Sequence, residues 1–132
     1  MRISRDLVEE IVAHAREDLP NECCGIVSTK DGDAVRVYRA RNEYGSPLRF
    51  RINSQDHFRI NFEIEDAGHE LGAMYHSHVK SSAYPSQTDV NMAESLPGVV
   101  WLIVSLADRD TPDLRGFRIT GPEVEEVPLT IE

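Results

Sequence analysis

Leu7, Val8, Ile11, Val12 and Ala15 recur at three- and four-residue intervals behind Ser4. That spacing predicts a helix capped by Ser4, with Asp6, Glu9 and Glu10 toward its positive end and Pro20-Asn21 stopping it. Gly25-Ile26-Val27-Ser28 and Ala34-Val35-Arg36-Val37-Tyr38 then read as two strands of a hairpin turning at Asp31-Gly32-Asp33. Arg41 to Pro47 is polar and reads as a loop, and Phe50-Arg51-Ile52 as a short strand.

The next stretch fits two periods. Phe58, Ile60, Phe62 and Ile64 alternate as in a strand, but Phe58 and Phe62, like Ile60 and Ile64, are also four apart. The length of the segment and the caps available at Asn53 or Ser54 favour a helix to about Ala67, before Gly68. Leu71-Gly72-Ala73-Met74-Tyr75 is apolar without alternation, which predicts a central strand covered on both faces, and it runs directly into His76-Ser77-His78. Pro85-Ser86 opens a helix to about Ser95, and Gly98 to Val104 is the clearest buried strand. Leu114–Thr120 and Glu123–Pro128 form a closing hairpin across Gly121-Pro122. Helices mixed with strand pairs imply a mixed α/β (α+β) domain on a largely antiparallel sheet. With no linker or repeat, residues 1–132 are expected to be one domain.

Composition narrows the function. The chain has 132 residues, and 14 Lys+Arg against 23 Asp+Glu give a net charge of -9, which repels a phosphate backbone. Nucleic acid is not an expected partner. No apolar run approaches the roughly 20 residues of a membrane span, and Met1 to Glu10 lacks the apolar stretch of a signal peptide, so the expected location is cytoplasmic with no membrane partner. Cys23 and Cys24 are adjacent, a poor geometry for a disulfide, and read as reduced thiols.

His76 and His78, two apart at a strand end, leave the same face, so two imidazoles converge. Catalytic zinc characteristically takes three protein ligands and a water. Asp89 is the natural third ligand, because the loop after His78 is long enough to reverse the chain. A metal so held draws the pKa of its water toward about 7. Each residue also has a plainer reading: His-x-His as polar surface, Ser86 with Asp89 as a helix capping box, Glu22 as a solvated loop acid, and the cysteines as small buried hydrophobes.

Taken together, Glu22, then His76-Ser77-His78, then Pro85-Ser86-Gln87-Thr88-Asp89 resembles the JAMM (MPN+) zinc metalloprotease motif, over nearly the whole chain. The resemblance implies a curved, mostly antiparallel sheet with helices packed on it. It makes His76, His78 and Asp89 the ligands of one zinc ion, Glu22 the general acid/base and Ser86 the oxyanion donor. The residue after the second histidine, often Pro in that family, is here Val79, and the insertions of eukaryotic deubiquitinases are missing. Ala83-Tyr84-Pro85-Ser86-Gln87-Thr88-Asp89-Val90 is similar to the small bacterial Mec-type peptidases. That similarity implies a ubiquitin-like sulfur-carrier substrate whose C-terminal Gly-Gly is joined to cysteine, and a place in cysteine and sulfur metabolism. The alternatives are an isopeptidase or general metallopeptidase of the same fold, and a non-catalytic MPN-type scaffold. A zinc deaminase needs Pro-Cys-x-x-Cys, which is missing here. Arg49, Arg51 and Arg59 are candidates to meet a carboxylate terminus, though surface arginines ordinarily only solvate a fold.

Overall fold

The computed structural model describes residues Met1–Glu132. In chain order the elements are β1 (Arg2–Ile3), α1 (Arg5–Glu17), β2 (Cys24–Lys30), β3 (Asp33–Ala40), α2 (Ser54–Asp66), β4 (Glu70–His78), α3 (Gln87–Ala93), β5 (Val100–Ser105), β6 (Asp113–Thr120), β7 (Glu123–Val127) and β8 (Thr130–Ile131). The local signals account for most of them. Ser4 Oγ accepts the Leu7 N–H at 3.2 Å to start α1, and Asn53 Oδ1 accepts the Asp56 N–H at 3.0 Å to start α2. The ambiguous stretch is therefore a helix, with Ile60 and Ile64 buried and Phe58 and Phe62 exposed. Asp31 and Gly32 both take positive φ, 53° and 83°, the geometry of a tight turn matched to the twist of a hairpin.

All eight strands form one sheet in the order β7-β6-β5-β4-β2-β3-β1-β8. The pairs β2–β3, β2–β4, β5–β6 and β6–β7 are antiparallel. β4 and β5 run parallel, so the chain must cross over between them, and α3 makes that crossing. Two findings differ from the sequence reading. The strand expected at Phe50–Ile52 is only an isolated bridge, Asn42 to Ile52, because the segment folds back on the loop before it. β1 and the edge strand β8 beside it, each two residues long and parallel to a neighbour, were not anticipated.

β4 lies between β2 and β5, and its side chains divide the interior into two cores. Ala73 and Tyr75 pack with Ile11 and Ala15 of α1, while Met74 packs with Ile60 and Ile64 of α2, Ala93 of α3 and Trp101. Gly25, opposite Tyr75, has no room for a side chain: a Cβ there would lie 2.3 Å from the Tyr75 ring. The two-sided cover predicted for β4 follows from this arrangement, and it fixes the direction in which His76 and His78 project.

Candidate metal centre

β4 delivers its two histidines to one face at the end of the strand, where His76 is fully buried and His78 nearly so. Phe50 stacks on the His76 ring with centroids 4.4 Å apart. The His78 Nδ1 lies 2.8 Å from the Ser82 carbonyl oxygen, so Nδ1 carries the proton and donates it, and Nε2 presents a lone pair. The third group arrives from the crossover helix. Ser86 caps α3, its Oγ accepting the Asp89 N–H at 3.1 Å while its own N–H donates to Asp89 Oδ2 at 3.0 Å. This capping box fixes the Asp89 carboxylate at the helix start, aimed at the histidines.

The result is a triangle of acceptors. His76 Nε2 and His78 Nε2 are 3.3 Å apart, and each lies 3.0 Å from Asp89 Oδ2. One His76 proton can serve one of these contacts, but the lone pair of His78 Nε2 still faces a carboxylate. A cation satisfies all three at once. Ligands about 2 Å from a tetrahedral ion lie about 3.3 Å from one another, so the observed edges fit such an ion without rearrangement. The donor set of two imidazoles and a carboxylate suits zinc and leaves a coordination position open. His76 Nδ1 is buried without a hydrogen-bond partner.

Charge at the site follows from burial and these contacts. Burial acts to raise the Asp89 carboxyl, but the two adjacent imidazoles and the hydrogen bond from the Ser86 N–H outweigh it and hold the group below the usual carboxylate range. Burial lowers His76 despite Asp89. Burial also opposes protonation of His78, but Asp89, the Ser82 carbonyl and Glu22 together raise it.

Glu22 precedes β2, the antiparallel neighbour of β4. Cys24 pairs with His76, so the same register extended by two residues sets Glu22 across from His78. The Cys23 N–H donates to Ser77 Oγ at 2.8 Å and the Ser77 N–H to the Cys23 carbonyl at 3.1 Å, holding that register to the strand end. Glu22 is 5% exposed, and its carboxyl is pushed up to about 7, first by burial and then by Asp89, against the pull of His78. The plainer reading of Glu22 as a solvated loop acid therefore fails. Glu22, His78 and Ser86 line one cavity of about 280 Å³, walled also by Pro47 and Leu48. The Ser86 hydroxyl accepts from the helix and keeps its own proton free to donate. Cys23 and Cys24 are free and fully buried, and burial pushes the Cys23 thiol up to about 12, so neither is a nucleophile.

Two supporting residues escaped the sequence reading. Ser82 acts through its carbonyl, which leaves no side-chain signature. Asn42, read only as part of a loop, uses its whole amide: Nδ2 donates to the Glu22 and Arg49 carbonyls, each at 3.1 Å, and Oδ1 accepts from the Tyr44 and Arg51 N–H groups at 3.1 and 3.0 Å. The Asn-x-x-Gly turn signal at 42–45 was its only trace.

Comparison with known proteins points the same way. A family model described as prokaryotic homologs of the JAB domain matches residues 4–120. The CysO-cysteine peptidase of Mycobacterium tuberculosis is 36% identical over 131 residues, covering 98% of this chain and 89% of that protein. A desampylase of Haloferax volcanii is 34% identical over 140 residues, covering 100% of this chain and 96% of that one. A solution structure of a protein from Desulfitobacterium hafniense superposes with a TM-score of 0.90 at 31% identity, covering 99% of this chain and 92% of that one.

Proposed function

The chain belongs to the JAB-domain (JAMM) family in its prokaryotic branch, and from that premise we propose that it is a zinc-dependent peptidase acting on a ubiquitin-like sulfur-carrier protein. It hydrolyses the amide after the carrier's C-terminal Gly-Gly and releases cysteine, in the cytoplasm, through a single domain spanning residues 1–132. The observation that carries this reading is the triangle of two imidazole nitrogens and a carboxylate oxygen, 3.0 to 3.3 Å on each edge, beside a buried glutamate. The likeness to a CysO-cysteine peptidase over nearly the whole chain supports the substrate class.

His76, His78 and Asp89 hold the metal. When bound, zinc supplies Lewis acidity that makes a coordinated water acidic near neutral pH and polarises a carbonyl. Glu22 takes the proton from the attacking water and hands it to the leaving amine nitrogen, a task suited to a carboxyl raised toward neutrality by burial. Ser86 donates its hydroxyl proton to the oxygen of the carbonyl under attack. Ser82 holds His78 in the tautomer that presents Nε2. Pro47 and Leu48 line the same cavity as Ser86, and the side-chain-free glycines of an extended Gly-Gly tail let it enter beside them.

The test is a panel of three substrates followed by mass spectrometry: a carrier ending in Gly-Gly-Cys, an isopeptide-linked ubiquitin-like dimer and a generic peptide. Cleavage of the first with release of cysteine is the expected result. If the generic peptide or the dimer is cut and the Gly-Gly-Cys carrier is not, the sulfur-carrier assignment is wrong and the chain is a general peptidase or isopeptidase. A protein that purifies without stoichiometric zinc and cleaves nothing is a scaffold.

A further inference from the structure

The cavity beside Glu22 holds one cation that no group of the chain neutralises. Lys80 lines it together with Glu22, His78 and Ser86, and takes part in none of the chain's ion pairs. Its backbone is held on both sides: His78 Nδ1 donates to the Ser82 carbonyl at 2.8 Å, Ser105 Oγ donates to the Ser81 carbonyl at 2.6 Å, and the Val79 side chain is buried. A fixed backbone therefore carries an exposed, unpaired lysine at the wall of the cleft, with a stem that can reach into it.

The neighbouring charges are already engaged. On the other side of Glu22 lies a larger hollow of about 730 Å³ containing three arginines. There Arg39 pairs with Glu17, Arg41 with Asp56 at 3.0 Å, and Arg59 with Glu63 at 3.0 Å. An incoming carboxylate would have to displace a resident one at each. Arg51 is paired with Glu43 at 3.8 Å, and Arg49 lies over the Tyr44 ring at 4.1 Å, outside the cleft wall. None of the arginines considered from the sequence is a free cation facing the cleft.

We infer that Lys80 receives the α-carboxylate of the amino acid that the enzyme releases, and so selects a carrier ending in one free amino acid over an isopeptide-linked conjugate. This rests on the reading above that the scissile amide joins the final glycine to a single amino acid. In that substrate the carbon bearing the scissile nitrogen also bears the carboxylate, so the negative charge is forced into the cleft beside Glu22 and near Asp89. Such a chain, with a net charge of -9, has to offset it there. A leaving lysine side chain brings no carboxylate to that position. A point charge on a four-carbon stem suits the task, because it can follow a small anion without a fixed fork geometry.

The experiment compares three carriers identical through Gly-Gly: one ending in cysteine with a free carboxylate, one in cysteine carboxamide, and one joined through an isopeptide bond. kcat/KM is measured for wild type, K80A, K80E and K80R, with zinc content per chain as a check that the metal centre is intact. Wild type should prefer the free acid over the carboxamide. K80A should lower that ratio by about tenfold, the worth of one charge-assisted hydrogen bond, with the change carried by KM. K80E should lower it further, and K80R should restore most of it. A ratio in K80A equal to that of wild type overturns the role of Lys80 and leaves the peptidase reading standing. Failure of wild type to cut either Gly-Gly-Cys carrier overturns that reading and this inference together. Binding of the free-acid and carboxamide carriers to E22Q, measured by calorimetry with and without K80A, gives the same ratio without turnover.

Discussion

The two faces of β4 each bury a histidine, and the two sites are built on opposite accounts of donors and acceptors. On the α1 face, His14 lies with Nδ1 2.6 Å from the Tyr75 hydroxyl and Nε2 3.3 Å from Asp18. Nε2–H donates to the carboxylate and Nδ1 accepts from Tyr75, so every group is matched. On the other face, His76, His78 and Asp89 direct three acceptors at one point, and His76 Nδ1 has no partner. Burial lowers both His14 and His76, so burial alone does not tell a structural histidine from a ligand. The count of lone pairs against protons does: the first face is matched without an ion, and the second leaves lone pairs facing one another unless an ion sits between them.

The sharpest way to break that contrast is to remove one histidine from each face. H76A or D89A should lose zinc and bring peptidase activity to background, whereas H14Q should keep one zinc per chain and most of its turnover. Metal analysis beside a rate assay decides it, and an H76A protein with stoichiometric zinc would end the comparison. E22Q belongs between them, retaining zinc while turnover falls by about 10² to 10⁴.

What the sequence revealed about these faces depended on how local each signal was. The caps at Ser4, Asn53 and Ser86, the turn at Asp31-Gly32 and the spacing of His76 and His78 are all set within four residues, and each could be read directly. The position of Glu22 across from His78 depends on β2 pairing with β4, two strands separated by β3 and α2, and no local periodicity encodes that pairing. Only the family resemblance linked Glu22 to the histidines before the fold was seen. The His14–Tyr75 pair went unnoticed for the same reason, being 61 residues apart. β1 and β8 are too short for alternation to register.

A smaller effect separates the faces by stability. Y75F leaves His14 Nδ1 without its partner, at a cost of about 1 to 3 kcal/mol. G25A drives a methyl into the Tyr75 ring, at a cost in the same range. Either should lower Tm by several degrees with zinc content unchanged. Chelation should do the reverse, lowering the Tm of wild type and G25A alike while leaving H76A where it was, because only a competent site gains stability from the ion.

The acid–base behaviour of the metal face gives a finer test. In the metal-free protein burial holds the Glu22 carboxyl at about 7, above its ordinary value of 4.5. A raised folded-state pKa means that its contribution to stability is fully present below 4.5 and is lost as pH rises through about 7. Metal-free E22Q carries no such loss. Its Tm relative to metal-free wild type should therefore climb between pH 5 and pH 8, and a difference independent of pH would place Glu22 in water.

Asn42 gives the smallest expected change and the most selective one, since its two halves serve different neighbours. The amide NH₂ ties the Glu22 carbonyl to that of Arg49, and the amide oxygen gathers the Tyr44 and Arg51 N–H groups into the loop that carries Leu48 over the cleft. N42D keeps the acceptor and loses both donors. It should lower kcat by about threefold to tenfold through a less well held Glu22, with zinc retained and KM little changed. N42A loses the acceptor too, so the loop should loosen and KM should rise as well. An N42D enzyme with unchanged kcat would mean that Asn42 serves only the loop, and that the register of β2 against β4 is sufficient by itself to hold Glu22 at the metal face.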